Sequence, residues 1–313
     1  TYGSASKITY MEIVKNRNFF FAVAFMLMLT SALAVWQWGL KLGIDYSGGS
    51  IMELEYTSAT RPERQVIETI ATEKGIEGIV VQPTGDVGLL IRSRTLSEQE
   101  HQALLAGVIA SAGEGNVKEL RFDTVGPTIG KELKTKSFKA IVIAVMAILC
   151  YIAFAFRKVS YKISSWVYAV AAIIALVHDI IIPTGVFAVL GHFYGIEVDV
   201  LFVSALLTVL GFSIHDTIVV FDRVRENLLR YPSVAFDAIV ERSIKETIAR
   251  SINTSLTTLI VLFAVFLFGG GSVRFFSLAL ILGISFGTYS SIFVASPLLV
   301  TWVSWQQGRV KKA

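Results

Sequence analysis

Charge is scarce in this chain. Of its 313 residues, 28 are Lys or Arg and 24 are Asp or Glu, 17% in all, whereas 54% are hydrophobic and the mean hydropathy is +0.64. A soluble domain carries about 25% charged residues, so the composition argues against an ordinary cytosolic globule. Cysteine is nearly absent: Cys150 stands alone inside an apolar run. An internal disulfide framework is therefore excluded, and any part facing an oxidising compartment must fold without one. HExxH is missing and the four histidines form no ligand set, so a metal centre is not expected.

The charges that are present fall unevenly. Residues 40–139 hold 12 of the Lys/Arg and 14 of the Asp/Glu, half of all charges in a third of the chain. One soluble-looking block thus interrupts a membrane-like sequence, and the length suggests two domains. A hydrocarbon core of about 30 Å needs roughly 20 apolar residues per helix. Six spans meet that measure: 19–38, 140–156, 163–190, 200–221, 251–268 and 275–305. The first closes with Trp36 and Trp38, suited to an interfacial belt. It is too long for a secretory signal, and no small-residue cleavage site follows it.

Orientation follows from the basic residues of the short loops. Lys7, Lys15 and Arg17, then Arg157, Lys158 and Lys162, then Arg223, Arg225, Arg230, Arg242, Lys245 and Arg250, and finally Arg309, Lys311 and Lys312 all fall on one side. The opposite short loops carry only Arg274. Both termini of this multi-pass chain are expected in the cytoplasm. The expected organisation is a cytoplasmic N-terminus with the first span over 1–39, an extracytoplasmic domain over 40–134, and five spans over 135–313 with a cytoplasmic amphipathic linker at 223–250. Lys131, Lys134, Lys136 and Lys139 run against the rule; they belong to the outer domain or snorkel outward.

Within the outer block, 51–56 alternates as a half-buried strand, and 61–73 has helical spacing with Val66, Ile67 and Ile70 inward. Short apolar strands at 78–82 and 88–92 flank Pro83, Thr84, Gly85 and Asp86, a hairpin signal. Ser97 and Glu100 form a capping box opening a helix over 97–112, and 117–125 closes the set as a strand. The order βαββαβ predicts a ferredoxin-like α+β domain inserted into an all-α membrane bundle of six helices, one plus five. It carries no ligand spacing, phosphate loop or nucleophile with a placed base, so binding or coupling is expected of it rather than catalysis. Between the fourth and fifth spans, Ala238, Ile239, Ser243 and Ile244 among many charges, with Pro232 as a break, read as an interfacial amphipathic helix and not as a nucleic-acid site.

A charge at the centre of a membrane helix costs about 2.5–3.5 kcal/mol, so intramembrane ionisable residues are functional candidates. Asp216 comes 16 residues into the fourth span. Arg250, Asn253, Thr254, Thr257 and Thr258 repeat on one face of the fifth. The simplest expectation is that this stripe faces the fourth helix, pairs Arg250 with Asp216 and lines a proton entry. Asp216 would carry the proton and Arg250 would act as a movable counter-ion; the competing reading is a static ion pair that fixes packing. His178 and Asp179 form a second intramembrane pair, four residues before Pro183 in the case of Asp179. Relay and polar lining are both open for them, as they are for His215. Gly283, Gly287, Ser291 and Ala295 make a small-residue seam for helix packing.

The string GFSIHDTIVVFDRVREN at 211–227 resembles the signature of the SecF family of the SecDF accessory complex in bacterial protein export. GIDYSGG at 43–49, VGPTIG at 125–130 and RSINTSLTT at 250–258 agree with it. The resemblance implies a relative of the resistance-nodulation-division transporters that pairs with SecD and uses the proton gradient to help draw preproteins from the SecYEG channel, with protons as the coupling ion and no other cofactor. It implies proton conduction at Asp216 and Arg250, and motif positions at Asp45, Gly48, Gly49, Gly126, Pro127, Asp222 and Arg223. The chain departs from the family pattern at Phe212 and His215, where tyrosine and asparagine are common, so hydrogen bonding around Asp216 is expected to differ. Two other classes compete: a half-size proton-coupled exporter of small molecules, and an intramembrane aspartyl protease using Asp179 and Asp216. The second lacks GxGD around either residue.

Overall fold

The computed structural model describes residues 12–57, 62–113, 115–157 and 163–310. Lys7, Arg61, Lys158, Lys162, Lys311, Lys312 and the side chain of Arg309, used above, lie outside the described residues. In chain order the elements are α1 (Arg17–Trp38), α2 (Ile44–Ser47), β1 (Gly49–Tyr56), α3 (Arg64–Glu73), β2 (Val80–Thr84), β3 (Gly88–Ser93), α4 (Glu98–Ala112), β4 (Val117–Val125), α5 (Pro127–Ala155), α6 (Ser165–Tyr194), α7 (Val200–Arg230), α8 (Phe236–Phe268), α9 (Gly271–Ser290), a π-helical turn (Ser291–Ala295) and α10 (Ser296–Val310). They fall into two compact units. A membrane unit holds the chain up to Lys41, Ala140–Ile196 and everything from Leu201 onward; the other unit is Leu42–Lys139 with Glu197–Val200.

Among the described residues, six helices are long and apolar enough to cross a bilayer: α1, α5, α6, α7, α8 and the composite α9, π-turn and α10. The apolar code sets their existence, but local chemistry sets their ends. Pro127, whose fixed φ and missing N–H suit the first position of a helix, opens α5 well before its apolar run. Lys131, Lys134, Lys136 and Lys139 therefore ride on α5 within the second unit. Pro232 disfavours helical backbone at Tyr231, and α7 ends at Arg230.

No separate surface helix exists over 223–250. Residues up to Arg230 continue α7, and those from Phe236 continue into the long α8. Ile239 and Ile244, expected on a membrane surface, are buried against Val220, Val224 and Leu228 of α7, which satisfies that apolar face within the protein. The interior of the unit is formed mainly by α6, α7 and the composite last span, whose apolar windows are 50%, 50% and 61% buried; those of α5 and α8 are 6% and 11% buried and lie at the periphery.

The second unit carries a four-stranded antiparallel sheet in the order β2-β3-β1-β4. Alternation sends Met52, Leu54 and Tyr56 of β1, Leu89 and Ile91 of β3 and Val81 of β2 to one face. There they pack with Ile67 and Ala71 of α3 and Leu104 and Val108 of α4. Val66, expected inward, is 42% exposed: the inward line of α3 runs through Ile67, Ile70 and Ala71. Pro83 sits in β2, an edge strand, where a missing N–H is tolerated. The Ser97–Glu100 capping box is formed in both directions.

Glycine has specific work at 43–49. Gly48 has φ +76°, and a Cβ there would stand 2.9 Å from Cα of Pro127, so backbone passes where a side chain could not. The same segment grips residues 197–200: Gly43 N–H donates to Val198 O at 2.9 Å, Leu42 bridges Val198 in parallel, and Arg92 of β3 pairs with Glu197. Asp45 Oδ2 accepts from the backbone N–H of Val200, the first residue of α7, at 3.0 Å.

Candidate functional site

Three elements of the membrane unit converge on buried acids. α6 presents His178 and Asp179, both 0% exposed. α7 presents Ser213 and Asp216 three residues apart on one face, 1% and 7% exposed. The last span presents Ser290 and Ser291 at the start of its π-turn, both fully buried. A π-turn inserts a residue into the helical register and frequently marks functional positions. Here it turns two consecutive serines inward, each towards a different acid.

Ser290 Oγ donates to Asp179 Oδ2 at 2.9 Å, and Ser213 Oγ donates to the same oxygen. The other oxygen, Oδ1, lies 2.9 Å from His178 Nδ1. Ser291 Oγ donates to Asp216 Oδ2 at 2.7 Å. Each of these two serines also has a backbone alternative, Gly287 O at 3.1 Å for Ser290 and Thr288 O at 3.0 Å for Ser291. A hydroxyl has one proton to give, so each can serve its acid or its own helix. His178 Nε2 is buried and finds no hydrogen bond among the described residues.

The small-residue seam makes this approach possible. Gly283 lies against Val209 of α7, leaving no room for a side chain. One turn on, a Cβ at Gly287 would stand 3.0 Å from Ser213 Cβ and 3.6 Å from Asp179 Oδ2. One further turn brings Ser291 to Asp216. Ala295 is buried in the core with Leu210 and Ile214.

The expected Asp216–Arg250 ion pair is not formed. Asp216 turns inward to Ser291, whereas Arg250 is exposed and lines an open pocket of about 420 Å³ with Ile218, Val219, Asp222, Arg223, Glu226, Glu246 and Thr247. Asn253, Thr254 and Thr257 are exposed and Thr258 is half-buried. The reason is that α8 carries two polar lines: Ser243, Thr247, Ser251 and Ser255 occupy its buried side, which rotates the Arg250 line outward. The threonine hydroxyls return to their own helix, Thr254 to Arg250 O at 2.9 Å and Thr258 to Thr254 O at 3.1 Å. His215 also faces out of the chain.

At the charged end of α7, Arg223 binds Glu226 and Glu246, both at 2.6 Å, and Glu246 also accepts from Asn227 at 2.9 Å and Arg242 at 2.8 Å. Asp222 pairs with Arg225 at 3.1 Å. The motif residues Gly126 and Pro127 lie in the second unit beside Gly48, and Gly49 has φ +128°. Ser213 and Ser290 were not singled out from the sequence, and Ser291 was placed only in the packing seam, since buried serine is common in membrane helices and only the fold shows which acid each serves. Among the described residues no cluster of His, Cys, Asp and Glu could hold a metal.

The chain matches the family described as protein export membrane protein SecD/SecF, C-terminal, over residues 106–305, and the SecD/SecF GG motif over 39–60. It is 41% identical over 300 residues to the protein translocase subunit SecF of Thermobaculum terrenum, covering 93% of this chain and 94% of that one. Against the SecF subunit of Anaerolinea thermophila it is 40% identical over 295 residues, covering 94% of each. Among solved structures it resembles SecDF, a translocon-associated membrane protein from Thermus thermophilus, with a TM-score of 0.80 and 32% identity. A super-membrane-facing form of SecDF gives 0.68 and 33%. The match covers 96% of this chain and 40% of each SecDF chain, so this chain spans well under half of those longer proteins.

Proposed function

The chain belongs to the SecD/SecF family of protein export membrane proteins, and from this we propose that it is the SecF-type subunit of a SecDF complex, using the proton motive force to assist preprotein passage through SecYEG. It is a transport subunit and not an enzyme, set as a multi-pass protein in the bacterial cytoplasmic membrane with both termini inside and protons as the coupling ion. The observation that carries the reading is Asp216: a carboxyl group 7% exposed in a bilayer-long helix, hydrogen-bonded by Ser291 and with no basic side chain paired to it among the described residues. An ionisable group so placed is costly, which makes it a functional candidate by default.

A polar pocket near this acid supports the role. Val219 lines the polar pocket and lies one turn, about 4.5 Å of rise, from Asp216 on the same face of α7. Arg250 lines that pocket too. The outward Arg250, Asn253, Thr254 and Thr257 stripe cannot be solvated by lipid tails, and we assign it to contact with SecD, where Arg250 would meet partner groups as well as the pocket. The order of the four strands and two covering helices supports a ferredoxin-like outer domain, suited to handling preprotein.

One proton crossing 100 mV supplies about 2.3 kcal/mol. That biases a conformational equilibrium roughly fortyfold. Asp216→Asn and Arg250→Met are expected each to abolish gradient-stimulated export in reconstituted vesicles while leaving the complex with SecD assembled. Normal stimulation in the Asp216 variant would reject the carrier role.

A further inference from the structure

Asp179 is buried more completely than Asp216, yet no step above uses it. Its two oxygens have different neighbours. Among the described residues, Oδ1 is hydrogen-bonded by the imidazole of His178 alone, at 2.9 Å, while Oδ2 receives the hydroxyls of Ser213 and Ser290. Both hydroxyls lead towards Asp216: Ser213 precedes it by one turn of α7, and Ser290 is chain neighbour to Ser291, which donates to Asp216 at 2.7 Å. The titratable groups around the cluster are few. α6 supplies His178, α7 supplies Asp216, and the last span supplies Tyr289, which lies 5.9 Å from the His178 ring and donates its own hydroxyl to Phe20 O. No Lys, Arg or Glu forms an ion pair with Asp179 or Asp216 among the described residues.

A structural carboxylate in such a place needs fixed donors on both oxygens. Among the hydroxyls on Asp179, that of Ser290 is switchable. Ser290 and Ser291 can each give their proton to an acid or to Gly287 O and Thr288 O. When an acid gains a proton it becomes the donor, and its serine turns back to the helix carbonyl. The imidazole behaves similarly. His178 Nε2 is free among the described residues, so the ring can take a proton there and release the one on Nδ1 to Asp179 Oδ1. The N–H bond breaks as the O–H forms, the ring returns to neutrality, and one proton has moved with no charge left on nitrogen.

We propose that Asp179 with His178 is a second proton-binding site, coupled to Asp216 through Ser213 and the Ser290–Ser291 pair of the π-turn. The proposal rests on the reading of Asp216 as a proton carrier and extends it: two hydrogen-bond sets, each with its own acid, meet at consecutive serines of the last span and one turn apart on α7, so α6 and the last span sense proton occupancy as well as α7.

The test uses the complete complex with SecD in proteoliposomes, with proton flux measured against pH and carboxyl bands followed by infrared difference spectroscopy. Two protonated-carboxyl signals are expected in the wild type, one lost in Asp179→Asn and the other in Asp216→Asn, with flux lost in both. Asparagine keeps an acceptor for Ser213 and Ser290, so a packing role alone would leave flux and its pH profile unchanged. Flux lost with Asp216→Asn but intact with Asp179→Asn, with both carboxyl signals remaining in the latter, would overturn this inference and spare the carrier role of Asp216. Flux intact in Asp216→Asn would overturn the carrier role itself, and this inference with it. Should Asp179→Asn fail to assemble, Ser290→Ala removes one hydroxyl from the same link: a shifted pH midpoint of flux supports the coupling, and an unchanged midpoint overturns it.

Discussion

Asp45 shows how far a single side chain can act from its place in sequence. It lies beside a positive-φ glycine pair, yet its carboxylate receives the first N–H of α7, 155 residues later. Capping carboxylates of this kind contribute about 1 kcal/mol, so Asp45→Ala should lower the stability of the complex by about 0.5–2 kcal/mol in denaturant unfolding, while Asp45→Asn should lose less. A second residue-scale expectation concerns pH. Glu100 is held down to about 2 by the Arg94 guanidinium and then by the backbone N–H and hydroxyl of Ser97, against an ordinary value of 4.5. A carboxyl whose folded value is depressed stabilises fully above its unfolded value, so this contribution is present above pH 4.5 and is lost as pH falls towards 2. Hydrogen exchange at the first turn of α4 should quicken through that window, and in Glu100→Gln the acid dependence at that turn should vanish. The capping box was visible in sequence because its partners lie three residues apart; the cap from Asp45 was not, because no local pattern marks a partner that far away.

At the scale of elements, the spans were legible because an apolar run of bilayer length has few alternatives, whereas their ends were not. α8 explains the loss. Two polar lines share its surface, and sequence alone offers no reason to choose the serine line over the line of Arg250 for burial. The larger side chains stay outside because the packed side admits only small ones: Ser251 and Ser255 are 1% and 4% exposed. The same rule governs the seam on the last span, where small residues meet α7 in successive turns. Gly283→Leu would drive a side chain into Val209, and overpacking of this kind costs about 1–3 kcal/mol. The variant should unfold earlier in a thermal scan. Ala295→Gly, at the far end of the seam, should cost less, about 1 kcal/mol.

For the whole molecule, the contrast between buried and bare spans matters most. α6, α7 and the last span make an interior, and α5 and α8 leave most of their surface uncovered. The bare face of α8 is polar over Arg250, Asn253, Thr254 and Thr257, which suits protein and not lipid. Asn253→Leu combined with Thr257→Leu should therefore reduce the SecD recovered by co-purification, whereas Ile260→Leu, on an exposed apolar position of the same helix, should not. Equal recovery from all variants would move the partner face elsewhere. The seam carries a consequence for motion. Gly283 on Val209, Gly287 on Ser213 and Ser291 near Asp216 step along two helices at nearly one pitch, like teeth on a rack. Between teeth, Val209 would ride over a bulkier neighbour; at each tooth it finds a notch. Any sliding of these rods would thus come in increments of one turn, about 5.4 Å, and a single click would part the hydroxyl of Ser291 from Asp216.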